Sequence, residues 1–470
     1  MKINWQRIPA TMLPFADAAT PELPLPRLLR LSLFQVTVGM AAALLIGTLN
    51  RVMIVELKMS ASLVAAMLAI PLIFAPARAL IGFRSDTHRS HLGWRRVPYL
   101  WLGTLAQFGG LAILPFALLV MTGGGTGPAW IGQAGAALAL LMIGAGLHTT
   151  QTAGLALATD LVPEEARARV VALLYTMLLI GTLVSAVVIG ALLKHFTPLH
   201  LVQVVQGAGA VTMILNLMAL WKQEARNPAA TARRRDQPSF SDSWRTFIQQ
   251  GRAPRLLVAV GLGAAAFSME DVLVEPYGGQ VLGLSVGATT WLTALWAAGT
   301  LGGFALAAIW LKRGWDSHRL AGLGIVVGLA AFACLILAAP MASAFVLSIG
   351  VVSIGVGGGL FSVGTLTAAM ALVKHGGSGM ALGAWGAVEA SATGVAILCG
   401  GTLRDAIART AERGLFGPGL AGPTTGYVTV YCFEILLLFA TLVALGPLVR
   451  RAGTDHYASA GLIPADAALI

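Results

Sequence analysis

Ionisable side chains set inside long apolar runs are the residues of this chain best placed to do chemistry. Glu389 and Glu434 each stand near the middle of such a run. A carboxyl there either stays protonated and bonds a neighbouring helix, or relays a proton. His148 lies deep in another run, beside Thr149, Thr150 and Gln151. Its imidazole could ligate a metal, although a lone buried histidine is more often a hydrogen-bonding group of the core. Arg51 and the pair Glu270/Asp271 occupy matching positions in the two halves of the chain. A cross-repeat salt bridge, architectural in role, is expected between them.

A second set of charges lies between apolar runs. Gly82-Phe-Arg-Ser-Asp86, followed by Arg89, Arg95 and Arg96, resembles the signature loop between helices two and three of the major facilitator superfamily, which implies an acid held near a helix amino terminus, here the start of the eleventh span near Gly379. Asp160, with Glu164, Glu165, Arg167 and Arg169, forms the next charged turn. Asp86, Arg95, Arg96, Asp160 and Arg169 are thus candidates for an ionic latch that gates one face. The plainer alternative is a set of solvated loop charges, each contributing little.

Catalysis has no visible home, and the chain reads as a non-enzyme. The glycine runs 123–125 and 357–359 lack a following GK[ST], and no HExxH, GxSxG or paired-histidine site occurs. There is no Asp-rich DxxxD pair of the prenyltransferase kind; Asp236 and Asp242 sit in a basic loop as solvated charge. Cys334, Cys399 and Cys432 lie in apolar stretches without CxxC spacing, so reduced core thiols are expected and no metal site.

The elements that must carry these residues follow from composition. Of 470 residues, 57% are hydrophobic and only 11% charged, with a mean hydropathy of +0.80. A soluble protein carries about 25% charge, so cytosolic enzymes, nucleic-acid binders and disordered scaffolds are excluded. The net charge of +11 fits basic cytoplasmic loops of a membrane protein better than nucleic-acid binding. With about 20 apolar residues needed per crossing, spans fall at 32–54, 61–82, 97–121, 129–159, 168–193, 199–221, 255–276, 286–311, 319–340, 342–373, 379–402 and 425–449. The expected organisation is a cytoplasmic amino-terminal segment (1–31), a six-helix bundle (32–221), a basic linker (222–254) with Arg233-Arg234-Arg235, a second six-helix bundle (255–449) and a cytoplasmic tail (450–470). With both termini inside, most Lys and Arg fall on the cytoplasmic side. No cleaved signal peptide is expected from the proline-rich first 30 residues.

The halves echo each other. Ile143–Val162 aligns without gaps on Ile354–Val373 with seven identical positions, and Arg51-VMIV-Glu56 aligns on Glu270-DVLV-Glu275. Parallel six-helix repeats are the arrangement of the major facilitator superfamily. The expected fold class is therefore an all-α integral membrane protein of about twelve transmembrane helices in two six-helix pseudo-repeats.

Longer strings narrow the resemblance. Leu13-Pro-Phe-Ala-Asp17, Leu28-Leu-Arg-Leu-Ser-Leu-Phe-Gln35, Gly47-Thr-Leu-Asn-Arg-Val-Met-Ile-Val-Glu56, Leu92-Gly-Trp-Arg-Arg-Val-Pro-Tyr99 and Asp271-Val-Leu-Val-Glu-Pro-Tyr-Gly-Gly279 resemble the PucC/LhaA family of purple phototrophic bacteria. That resemblance spans both halves. It implies an assembly factor for light-harvesting antennae in the inner, intracytoplasmic membrane, acting on antenna polypeptides, bacteriochlorophyll or both, beside the bacteriochlorophyll synthase and the membrane insertase. No ligand position carries over from the family. By residue type and depth alone, His148 is the first candidate for the pigment magnesium, with Asn50, Gln107 and Gln151 behind it. The competing reading is a transporter of a small solute or pigment, coupled to protons through Glu389 or Glu434.

Overall fold

The computed structural model describes residues 23–73, 81, 85, 93–121, 128–224, 252–371, 378–420 and 422–449. Among them there are helices and turns but no strand. Among the described residues eleven helices are long and apolar enough to cross a bilayer, and a shorter apolar helix, Ala61–Ile73, stands where span two is expected. Most spans match the apolar runs closely; span three, for example, is Val97–Met121. Span eleven, Ser378–Glu412, runs well past the expected end at 402. Its last turns are polar, and the helix continues because Arg404 and Asp405 find partners on neighbouring spans.

Two spans are irregular at matching places. Span one (Leu25–Glu56) ends in two π turns, Leu45–Leu49 and Val52–Glu56. Span seven (Ala253–Gln280) breaks between the helices Ala253–Ala266 and Val274–Gln280, with a 3₁₀ turn at Glu270–Val272 between them. Pro276 explains the second break. It has no N–H for the carbonyl of residue 272, and its ring would strike that carbonyl in a continuous helix.

The helix neighbours repeat pair for pair. Span one packs on five and six, two on four, and three on four and six; correspondingly seven packs on eleven and twelve, eight on ten, and nine on ten and twelve. Between the halves, five packs on eight and eleven on two, again a matched pair. In a bilayer this packing rests on close van der Waals approach, which small residues permit. The repeated strings supply those residues. A Cβ on Gly144 would strike Pro71 of span two, and one on Gly355 the Trp296 carbonyl of span eight. Gly146 lies likewise against Gly103 of span three, and Gly357 against Gly324 of span nine. Buried hydrogen bonds add to this in the first half: Thr37 donates to Asn216 Oδ1 (2.9 Å), and Asn216 donates to Thr104 (3.0 Å), tying spans one, six and three.

Gly355→Ala therefore destabilises by about 1–3 kcal/mol, the usual cost of overpacking. Gly207→Ala, in span six with open space around it, is neutral or stabilising through helix propensity. Thermal unfolding of the purified variants in detergent checks the opposite signs.

Candidate functional site

The breaks in spans one and seven face each other across the contact between the halves. Asn50, fully buried between the two π turns, donates at 3.3 Å to both the Glu275 carboxylate and the Asp271 carbonyl. Thr293 of span eight (Val286–Lys312) donates to the other Glu275 oxygen at 2.8 Å. Thr48 and Thr290 pair at 3.2 Å across the same contact. Glu275 is thus held from both halves, although the sequence drew attention to it only as the repeat counterpart of Glu56.

Arg51 does not pair with Glu270 or Asp271 as expected. Its guanidinium forms its ion pair with Glu56, five residues on. The π turn is the reason, since its i→i+5 hydrogen bonding brings residues five apart together. Arg51 Nη2 donates to the Leu284 carbonyl at 3.0 Å, whereas the buried Nε makes no hydrogen bond among the described residues. That carbonyl belongs to the turn after span seven, where Gly283 takes a left-handed conformation (φ +67°) open to glycine at little cost. Arg51 therefore crosses to the second half through a main-chain carbonyl.

A cavity of about 100 Å³ lies beside these groups, lined by Thr182 of span five and by Glu270, Asp271, Glu275, Thr293 and Trp296 of the second half. Glu270 is 2% exposed, and its Oε2 makes no hydrogen bond among the described residues. Glu434, in the middle of span twelve (Pro423–Leu445), is fully buried beside the Glu270 main chain. Glu389 sits apart from that cavity, partly buried on span eleven.

Of the candidate pigment ligands, Asn50 stands apart, and Gln107, His148 and Gln151 lie on spans three and four. Asn50 is engaged between the halves. Gln107, fully buried, donates to Thr150 at 3.0 Å and so joins spans three and four. His148 and Gln151 are both buried on span four. An apolar groove of about 580 Å³ lies in the other half between spans seven, eleven and twelve, against Met269, Ser391, Val395 and Phe433. A magnesium tetrapyrrole needs an axial nitrogen or oxygen ligand over an apolar slot. Among the described residues the buried imidazole of His148 lies in one half and this groove, with the Ser391 hydroxyl on its wall, in the other.

On the face where span three begins, the expected latch is present in part. Asp160 accepts from Arg95 Nη2 (3.2 Å) and Arg96 Nε (3.1 Å), and Ser85 bonds Arg96. Arg169 is exposed on span five (Glu164–Leu192); Asp86 lies outside the described residues. A stronger contact was hidden in what reads as the start of the basic linker. The Glu224 carboxylate accepts from the main-chain N–H groups of Arg95 (2.6 Å), Arg96 (3.0 Å) and Val97 (2.9 Å). These are donors that a helix leaves unpaired at its start. On the opposite face Asp405 does the same for span two, accepting from the Ser62 N–H at 2.7 Å. Arg404 beside it bonds Gln280 at 2.6 Å and lies over the Tyr427 ring.

The PUCC protein family profile matches residues 48–453. The chain belongs to the PucC family. Two relatives span it almost end to end. A protein of Rhodobacter capsulatus described as an uncharacterized protein in the puhA-bchM intergenic region is 54% identical, covering 94% of this chain and 92% of its own. Protein PucC of Cereibacter sphaeroides is 51% identical, covering 95% and 97%. Among solved structures, a bacterial homolog of the human lysosomal transporter Spinster, inward-facing and unoccupied, superposes with a TM-score of 0.68 at 15% identity, covering 89% of this chain and 95% of that one. The chain thus shares its multi-pass, all-helical membrane fold with a solved transporter homolog.

Glu224→Ala lowers stability by about 0.5–2 kcal/mol, as loss of a helix cap does, whereas Glu224→Gln, which keeps an acceptor, loses less. Unfolding midpoints in detergent check the order of the two; an unchanged midpoint for the alanine variant contradicts the cap.

Proposed function

We propose that the protein is an assembly factor for photosynthetic light-harvesting complexes, handling antenna polypeptides, bacteriochlorophyll or both while the antenna ring is built. The observation that carries this reading is the family match over residues 48–453, with relatives about half identical along nearly their whole length. The proposal places it in the inner, intracytoplasmic membrane with both termini cytoplasmic, working beside the bacteriochlorophyll synthase and the membrane insertase, and not as an enzyme itself. Pigment, where handled, is cargo.

A transporter of a small solute or pigment is the second reading. Its support is the carboxyl-lined cavity between the halves of a fold shared with transporters.

Deleting the gene in its phototrophic host lowers the near-infrared antenna bands, and the intact chain restores them. In a host lacking antenna polypeptides, protein purified gently carries a co-eluting near-infrared band if pigment is its cargo. A colourless protein that crosslinks to nascent antenna helices assigns the polypeptides instead. Normal antenna levels in the deletion strain contradict the assembly role, and uptake into proteoliposomes would then test transport.

A further inference from the structure

We propose that the cavity between the two halves is a binding site for a monovalent cation, either an inorganic ion of the sodium class or the ammonium group of an organic amine. The inference does not depend on the assembly role.

Charge comes first. Glu270, Asp271 and Glu275 all line one small cavity inside the membrane domain. Arg51, the cation of the neighbouring break, is committed to Glu56 and to the Leu284 carbonyl. Ionised carboxyls in such a place need a counter-charge, because an intramembrane charge is stable only when paired or hydrated. Glu270 stands out among them: it is 2% exposed and lines the cavity, and its Oε2 is left without a hydrogen bond among the described residues. A buried polar atom in that state calls for a partner the chain does not supply.

The donors set the class of ligand. Carboxylates of Glu270, Asp271 and Glu275 with the hydroxyls of Thr182 and Thr293 form an all-oxygen set, which suits hard cations and not thiophilic metals. Among the described residues no group of three or more acidic, histidine or cysteine side chains is placed to hold a metal ion by itself, so a cation here would be held by at most two of the carboxylates, with hydroxyl or main-chain oxygens and water completing its shell. A divalent ion, which demands several ligands at short range, is therefore a poorer match than a single positive charge held partly through water. Trp296 on the same wall adds an aromatic ring, which attracts a monovalent cation or an ammonium group. The place in the fold agrees, since broken helices at a repeat interface free main-chain oxygens for ions. Bonded to Asn50 and Thr293, Glu275 would transmit occupancy to both halves.

The test uses the full chain in lipid nanodiscs at fixed pH and ionic strength. N-methyl-D-glucamine chloride is replaced stepwise by sodium chloride, ammonium chloride or ethylammonium chloride, and the unfolding midpoint is followed. A saturable rise with at least one of the three is expected. A response to sodium assigns an inorganic ion, and one to ethylammonium alone an amine. Glu270→Gln and Asp271→Asn raise the half-saturating concentration about tenfold or more, whereas Glu412→Gln, exposed at the end of span eleven, leaves it unchanged. Equilibrium binding of radioactive sodium and of labelled ethylammonium to the unaltered protein, near one per chain for the responding cation, keeps the test independent of how well the variants fold. The proposal is overturned if no cation differs from N-methyl-D-glucamine and neither label binds saturably, or if both variants respond as the parent does.

Discussion

Two hydrogen bonds from one amide, Asn50 to the Glu275 carboxylate and to the Asp271 carbonyl, join the places where spans one and seven depart from regular helix. The bilayer makes such a contact necessary. Lipid offers no donors or acceptors, so irregular backbone at membrane depth survives only against protein or trapped water. Span seven breaks because Pro276 cannot sit in a continuous helix, and span one answers with π turns that aim Asn50 and Arg51 across the gap. At the break in span seven, the Asp271 carbonyl is thus bonded by a side chain of the other half. This contact sets where the halves meet, and it leaves the carboxyl-lined cavity beside them.

Away from the breaks, the spans depend on closeness more than on polarity. Gly144 and Gly355 occupy equivalent places in the two repeated strings, and each presses on the second helix of its own half. The same holds for Gly146 and Gly357 against the third helices. Duplicated small residues therefore produce duplicated helix neighbours, which is how the pseudo-symmetry passes from sequence into packing. Charges serve the ends: Glu224 and Asp405 accept from the exposed N–H groups of spans three and two. Each joins helices far apart in the chain where apolar packing gives way to solvent.

The spans and their repeat were legible because hydrophobic length and glycine spacing are local properties of the sequence. So was the burial of Glu434 and His148, which follows from their depth in apolar runs. Partner choice was not legible. Arg51 was expected to meet Glu270 or Asp271 by repeat symmetry, but a π turn, invisible in a hydropathy pattern, hands it to Glu56. Span eleven outlasts its apolar run because Asp405 and Arg404 are held by Ser62 and Gln280, residues more than a hundred positions away. Glu224 reads as linker charge until the end of span six is seen beside the start of span three. Glu275 carried one usable signal, its register with Glu56.

For the proposed role in antenna assembly, the interface between the halves is the feature that would let a transporter-type fold change shape around cargo, and Asn50–Glu275 is its central polar contact. A double-mutant cycle on Asn50→Ala and Glu275→Gln, read from unfolding free energies in one detergent, tests this most directly. Coupling of about 0.5–3 kcal/mol, as contacting polar residues show, is the predicted result. Strictly additive effects would mean that the two residues do not share an interaction, and the account of the paired breaks would be wrong.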